Sequence, residues 1–255
     1  MNYLCAHKMT QYAHDNLKPN EASDGSKKEQ VASMFDDIAY RYDFLNRFLS
    51  AGIDVWWRKK ALSYLRESSP KRMLDVATGT ADLAIMAAKM LKPSSIKGID
   101  ISEGMLEIGR KKVETNNLSA IITLQKGDSE AINFPDNSFD AVTVAFGVRN
   151  FENLEKGLSE LHRVLMPGGT VVVLEFSRPK NAVARAFYDF YMKNIAAKMG
   201  RAVSKNCEAY EYLDESIKAF PEGQNFVSIL SKCGFTQSKY KALSLGICSV
   251  YIAKK

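Results

Sequence analysis

The chain is poor in the residues that build stapled or metal-bound domains. Its 255 residues include 4 cysteines and 3 histidines. Cys5, Cys207, Cys233 and Cys248 lie far apart, and no pair has the C-x-x-C spacing of a metal knuckle or a redox dithiol. No metal centre is expected, and a reducing compartment is the simplest setting. No apolar run approaches the ~20 residues of a membrane span, and no signal-peptide core precedes residue 30. A cytoplasmic protein is expected, with peripheral membrane association left open. Like charges never run to five in a row. The net charge of +6, from 35 basic and 29 acidic side chains, is therefore spread thinly and points only weakly to an anionic partner. His7 and His14 fall in a polar N-terminal stretch and His162 sits mid-helix, so no histidine reads as catalytic. Internal repeats and low-complexity tracts are absent too.

What the chain does have is length and alternation. Hydrophobic residues make up 46%, enough to bury one large core. Residues 1–29 are polar, carry Pro19, Gly25 and a Lys27-Lys28 pair, and read as a mobile tail. Residues 30–255 read as one domain, with a helical cap over 30–70 and an α/β core over 71–255. In the cap, Val31, Phe35, Ile38, Tyr42, Leu45 and Leu49 recur at helical spacing, and a second helix is expected over 54–67. Strands are expected at 72–77, 96–100, 121–126, 139–146 and 169–176. Helices are expected between them at 82–92, 102–116 and 153–165, with Ser102 as an N-cap. Such alternation predicts a mostly parallel sheet covered on both faces. The C-terminal part differs: helices over 182–200 and 224–234, then strands over 235–241 and 246–253 as an antiparallel pair.

The informative segment is LDVATGTADL, 74–83, followed one βα unit later by GIDIS with Asp100 closing the next strand. A strand, a turn of small residues, a helix, a strand and an acid form the unit by which α/β proteins hold an adenosine-bearing cofactor. The turn lets backbone N–H groups approach the ligand, and the acid accepts hydrogen bonds from two ribose hydroxyls. A dinucleotide site wants G-x-G-x-x-G for a pyrophosphate. Here Ala77, Gly79 and Ala81 fall at every second position instead. Alanine is tolerable at two of these positions if the turn keeps negative φ there, which leaves Gly79 as the position that cannot change. The third segment is GDSEAINFPDNSFD, 127–140, an acid and a small polar residue after the third strand.

These three segments resemble the S-adenosylmethionine-dependent class I methyltransferases, which implies a Rossmann-like sheet. The resemblance assigns cofactor contacts to Asp75, Gly79, Thr80 and Asp100, and places the adenine amino group against Asp128 and Ser129. Four further stretches narrow it: YDFLNRFLSAGIDVWW (42–57), FGVRN (146–150), RVLMPGGTVVVLEFS (163–177) and AYEYLDESIKAFP (209–221). Together they resemble the C-methyltransferases of menaquinone and ubiquinone biosynthesis over about residues 31–255. Asp54 stands where that family often has histidine, Met166 where it has lysine, and Ala81 where it has the last loop glycine.

The resemblance implies methyl transfer to a ring carbon of a reduced, prenylated demethylmenaquinol, or of a benzoquinol precursor of ubiquinone. Arg149, directly after the fourth strand, is the first candidate for stabilising phenolate charge or for orienting a water that acts as base. Asp43, Asp54, Tyr210 and Tyr212 are weaker candidates. A lipophilic quinol is the expected partner, with transient contact to a membrane surface; the amphipathic 31–49 segment and the aromatic 187–191 cluster are expected to be either plain core or a greasy lid and entry path for its tail, and a homodimer stays open. Nucleic acid is not expected, because the Asn/Asp-Pro-Pro-aromatic motif of amino-methylating enzymes is replaced by Phe146-Gly147-Val148-Arg149-Asn150. A non-catalytic nucleotide-binding module is the alternative from another class.

Overall fold

The computed structural model describes residues 10–20, 23–50, 52–191 and 208–255. Helix α1 spans Lys27–Leu49 and α2 Ile53–Ser63. The core runs β1 (Arg72–Val76), α3 (Asp82–Leu91), β2 (Ser95–Asp100), α4 (Glu103–Thr115), β3 (Ile122–Lys126), β4 (Phe139–Ala145), α5 (Leu154–Val164) and β5 (Leu165–Phe176). After α6 (Ala182–Tyr191) come α7 (Glu208–Ala219), α8 (Gln224–Lys232), β6 (Thr236–Leu243) and β7 (Cys248–Lys254). The rest of the expected 182–200 helix lies outside the described residues, as do Cys5, His7 and Cys207.

The seven strands form one sheet in the order β3-β2-β1-β4-β5-β7-β6. Strands β1 to β5 pair in parallel, and β7 runs antiparallel to both β5 and β6. The order reverses between β1 and β4, which opens a crevice at the carboxyl ends of those strands. Alternate residues of one strand serve opposite faces of the sheet. Met73, Val172 and Leu174 join the core under α2, α3 and α4, while Leu74, Val171 and Val173 join the core under α5 and α8. β5 begins at Leu165, earlier than the expected 169. It pairs once with Phe139, loops out through Pro167-Gly168-Gly169, and resumes at Thr170 opposite Ala141.

Helix α1 lies across the carboxyl ends of the strands and is fastened there by polar contacts. Asp36 Oδ1 accepts from Ser102 Oγ at 2.6 Å and from the Gly104 N–H at 2.8 Å. Ser102 in turn caps α4, accepting from the Met105 N–H at 3.2 Å. Thr80 Oγ1 donates to Asp43 Oδ1 at 2.6 Å, and Lys112 donates to Asp43 Oδ2 at 2.8 Å.

Residues 10–20 are docked, in contrast to the mobile tail expected over 1–29. A short 3-10 turn, Ala13–Asn16, places His14 in full burial. Thr10 N–H and Tyr12 Oη donate to Glu155 of α5 at 3.1 and 2.7 Å. Lys27 is buried, and its ammonium donates to His14 O at 2.5 Å, Phe151 O at 2.9 Å and Arg149 O at 3.3 Å. Composition could not show this, because the segment buys its place with hydrogen bonds rather than an apolar stripe.

Neither ring nitrogen of His14 makes a hydrogen bond. Burial first, and the Lys27 charge second, push its pKa down from 6.5 to about 3. Asp15 Oδ1 lies 3.3 Å from Nε2, but also accepts from the Leu154 N–H at 3.3 Å. A histidine depressed in the folded state leaves the unfolded chain binding more protons between about pH 3 and 6.5, so stability falls as pH drops through that window. Acidification from pH 7 to 5 is therefore expected to undock residues 10–20. Hydrogen exchange should show their protection lost, and a His14→Leu variant should keep it.

Candidate active site

The crevice at the β1/β4 reversal is an open cleft of about 640 Å³, continuous with solvent. Its floor is the turn after β1. Thr78 N–H donates to Ile99 O at 3.0 Å, and Gly79 N–H to Asp100 Oδ2 at 2.8 Å. Asp100 Oδ1 accepts from the Ser102 N–H at 3.0 Å. The carboxylate that ends β2 thus fixes both the turn after β1 and the start of α4. Burial pushes its pKa above the usual carboxylate range, while the N–H groups of Ser102 and Gly79 pull it back.

Gly79, Asp100, Asp128 and Ser129, all expected at the cofactor, line this one cleft. Asp75 and Thr80 do not line it. Asp75 lies beneath the turn, accepting from Thr78 Oγ1 at 2.7 Å and Thr143 Oγ1 at 2.6 Å. Burial raises its pKa to about 6 against those two bonds. It braces β1 to β4 and to the turn. Thr80 is buried and spends its hydroxyl on Asp43.

The turn departs from expectation in its backbone. Ala77 has φ +52° and Ala81 φ +64°, both left-handed, as is Gly79 at +54°. Alanine costs on the order of 1 kcal/mol there relative to glycine. Ala77 also faces a glycine: a Cβ on Gly147 would come 2.5 Å from the Ala77 methyl, so the β1 and β4 turns approach at contact distance. Around a Cβ built on Gly79 there is nothing within 4 Å. The space over Gly79 is therefore open. Gly79→Ala is expected to cost about 1 kcal/mol of stability but at least about ten-fold in cofactor affinity. Thermal melting and titration calorimetry read the two effects separately.

Arg149 was expected at the reacting ring, and the structure puts it elsewhere. It is buried and does not line the cleft. Nη1 donates to Glu175 Oε1 at 2.9 Å and to Phe146 O at 2.7 Å, and Nε to Ser216 Oγ at 3.3 Å. Its charge is already neutralised by a fully buried carboxylate, so it is not free to meet a phenolate. Asp54 is likewise buried, paired with Arg58 and accepting from Ser50 Oγ at 2.8 Å. Tyr212 is buried with an unpartnered hydroxyl, beside Val31 and Met34. The Tyr210 side chain lies outside the described residues. His162 stacks edge-on to Phe235, 5.0 Å between centroids, away from the cleft.

Helix α1 and the strand ends form the opposite wall. Lys28, Val31, Phe35 and Tyr42 of α1 face the cleft, with Ile101, Met105, Phe146 and Phe151. The helical spacing of 31, 35 and 42 fits either a core face or a greasy lid, and these three side chains line the cleft. Phe146 holds a left-handed backbone, φ +59°, and its ring stacks on Phe176 with centroids 4.5 Å apart. Burial raises the Tyr42 phenol pKa, so that group stays protonated. Among the described residues no cluster of acids, cysteines and histidines could hold a metal ion.

The model of the ubiE/COQ5 methyltransferase family matches residues 23–255. The chain belongs to that family. A demethylmenaquinone methyltransferase of Bacteroides fragilis is 46% identical over 244 residues, covering 96% of this chain and 99% of that one. A ubiquinone/menaquinone biosynthesis C-methyltransferase of Geobacter sulfurreducens is 43% identical over 230 residues, 90% of each chain. Among solved structures, a SAM-dependent methyltransferase of Thermotoga maritima superposes with TM-score 0.61 at 21% identity, over 88% of this chain and 99% of that one. The [4+2]-cyclase SpnF superposes at 0.55 with 17% identity, over 89% of this chain and 96% of that one. At such identities the likeness is of fold alone, and the cyclase shows that the fold does not by itself name the chemistry. Within the ubiE/COQ5 family the chain is a methyltransferase.

Proposed function

We propose that this methyltransferase moves the methyl group of S-adenosylmethionine to a ring carbon of a prenylated demethylmenaquinol, giving menaquinol, S-adenosylhomocysteine and the proton that the ring carbon sheds. One observation carries the reading: a single cleft joins a polar floor, Gly79, Asp100 and Asp128, to an apolar wall, Val31, Phe35, Ile101, Met105 and Phe146. Bound S-adenosylmethionine supplies an electrophilic methyl on a sulfonium. The open space over Gly79 takes its curved amino-acid end. Asp100 accepts from the ribose hydroxyls, and Asp128 accepts from the adenine amine.

The wall from α1 and Phe146 excludes water and holds the quinol ring against the donor, and positioning of this kind is worth up to ~7–11 kcal/mol of barrier in ideal cases. Tyr42, kept protonated by burial, donates to a quinol oxygen as charge develops there. Arg149 is a positioning residue in this account, acting through Phe146 and Glu175.

A lipid-borne quinol also calls for contact with a membrane surface, and the exposed apolar rim supports one. Ile53 and Trp56 on α2, Leu245 at the β6–β7 tip and Val183 on α6 are all exposed. The Trp57 Nε1–Ser244 Oγ bond of 2.8 Å sets α2 beside that tip. No described helix is long and apolar enough to cross a membrane. The match to relatives named for both quinones favours a second reading, methylation of the ubiquinone-precursor benzoquinol by the same groups. Incubation with labelled S-adenosylmethionine and each quinol in vesicles decides. Label in menaquinol alone supports the proposal, label in the benzoquinol alone supports the second reading, and label in neither defeats both.

A further inference from the structure

The Lys27-Lys28 pair stands at the first turn of α1, and the two side chains diverge. Lys27 is buried on the backbone carbonyls of His14, Arg149 and Phe151, which ties α1 to the loop after β4. Lys28 reaches the other way, into the cleft, and meets Asp128 Oδ2 at 2.6 Å and Glu130 Oε2 at 3.5 Å in the loop after β3. Consecutive residues thus span the cleft from the β4 side to the β3 side. The Asp128 carboxylate has its other oxygen committed: Oδ1 accepts from the Glu130 N–H at 2.8 Å. Each oxygen of Asp128 thus carries one bond, and Lys28 is the side chain that fixes where Oδ2, and with it the plane of the carboxylate, points. A carboxylate oxygen has two lone pairs, so it can hold the ammonium and an amine together.

We infer that Lys28 is a cofactor-positioning residue, which orients Asp128 toward the adenine amine and couples cofactor binding to the seating of the N-terminal helix. This rests on the assignment of Asp128 under the proposed function. Both parts follow from one geometry. Without Lys28 the Asp128 carboxylate, about 30% exposed at its side chain, is free to turn to solvent. With it, a ligand that fills the Asp128 contact also stabilises the turn of α1 that Lys27 anchors. Glu130 is held in place by the N–H groups of Glu152 and Asn153, which donate to its Oε1 at 2.8 and 2.9 Å.

The test compares S-adenosylhomocysteine with its inosyl analogue, in which a carbonyl replaces the adenine amine, on the full chain by calorimetry. Wild type should bind the adenosyl compound at least about ten-fold more tightly. Lys28→Met should lose most of that preference, through weaker adenosyl binding with inosyl binding unchanged, and Lys28→Arg should restore it. The adenosyl compound should slow proteolysis within residues 10–30 of wild type, and do so less in Lys28→Met. Equal weakening of both ligands would overturn the inference and make Lys28 a structural residue only. Wild type that binds the adenosyl compound without discriminating between the two would instead overturn the adenine contact of Asp128.

Discussion

Asp100→Ala is expected to weaken S-adenosylmethionine binding by at least about 100-fold. The carboxylate that ends β2 is assigned two hydrogen bonds from ribose hydroxyls. Bonds to a charged group contribute ~1.5–3 kcal/mol each. Two of them amount to roughly 3–6 kcal/mol, or about 10²- to 10⁴-fold in Kd. The same side chain also receives the Gly79 and Ser102 N–H groups, so its loss loosens the floor of the cleft. A drop in melting temperature of a few degrees should accompany the loss of affinity. Asp100→Asn keeps the shape and one acceptor oxygen, and should fall between wild type and alanine. Because burial raises the Asp100 pKa, wild-type affinity should begin to fall at a higher pH on acidification than an ordinary carboxylate would give. Calorimetry below the variant's melting transition reads the result. A Kd within three-fold of wild type would remove the ribose assignment.

That floor was legible because its requirements are local. A strand, a turn of small residues and an acid one βα unit later place backbone donors and a carboxylate together whatever else the chain does. The parallel sheet covered on both faces followed from the same alternation. What the sequence concealed was set by contacts between distant segments. Ala77 and Ala81 were expected to keep negative φ, yet the meeting with Gly147 and the close of the turn on Thr78 O put both in the left-handed region. Lys28 and its neighbour looked like part of a mobile tail because the residues before them are polar. Apart from His14, their partners are 100 residues or more away in sequence. Asp75 stood in the motif but serves it from below. A carboxyl flanked by Thr78 and Thr143 is indistinguishable in sequence from one that faces the ligand.

Arg149 is the most instructive of these, and its pair with Glu175 supports the second large prediction. Glu175 is fully buried and Arg149 nearly so. Removing one partner of a buried pair leaves an uncompensated charge and costs ~3–5 kcal/mol. Glu175→Leu or Arg149→Met alone should therefore lower the melting temperature by roughly 6–20 °C, taking ~2–4 °C per kcal/mol for a chain of this size. Arg149→Met combined with Glu175→Leu removes both charges and should recover most of that loss. The double variant then separates stability from catalysis. In wild type the guanidinium also holds the carbonyl of Phe146, whose left-handed backbone stores on the order of 1–3 kcal/mol of strain at the cleft wall. Freed of that hold, Phe146 should relax and kcat should fall about ten-fold or more with little change in cofactor affinity. A residue that stabilised phenolate charge directly would, when lost, also move the pH profile of kcat upward, since the quinol hydroxyl would have to ionise unaided. A positioning residue lowers kcat by the same factor at every pH. Undiminished turnover in the double variant would show that Arg149 serves the fold alone.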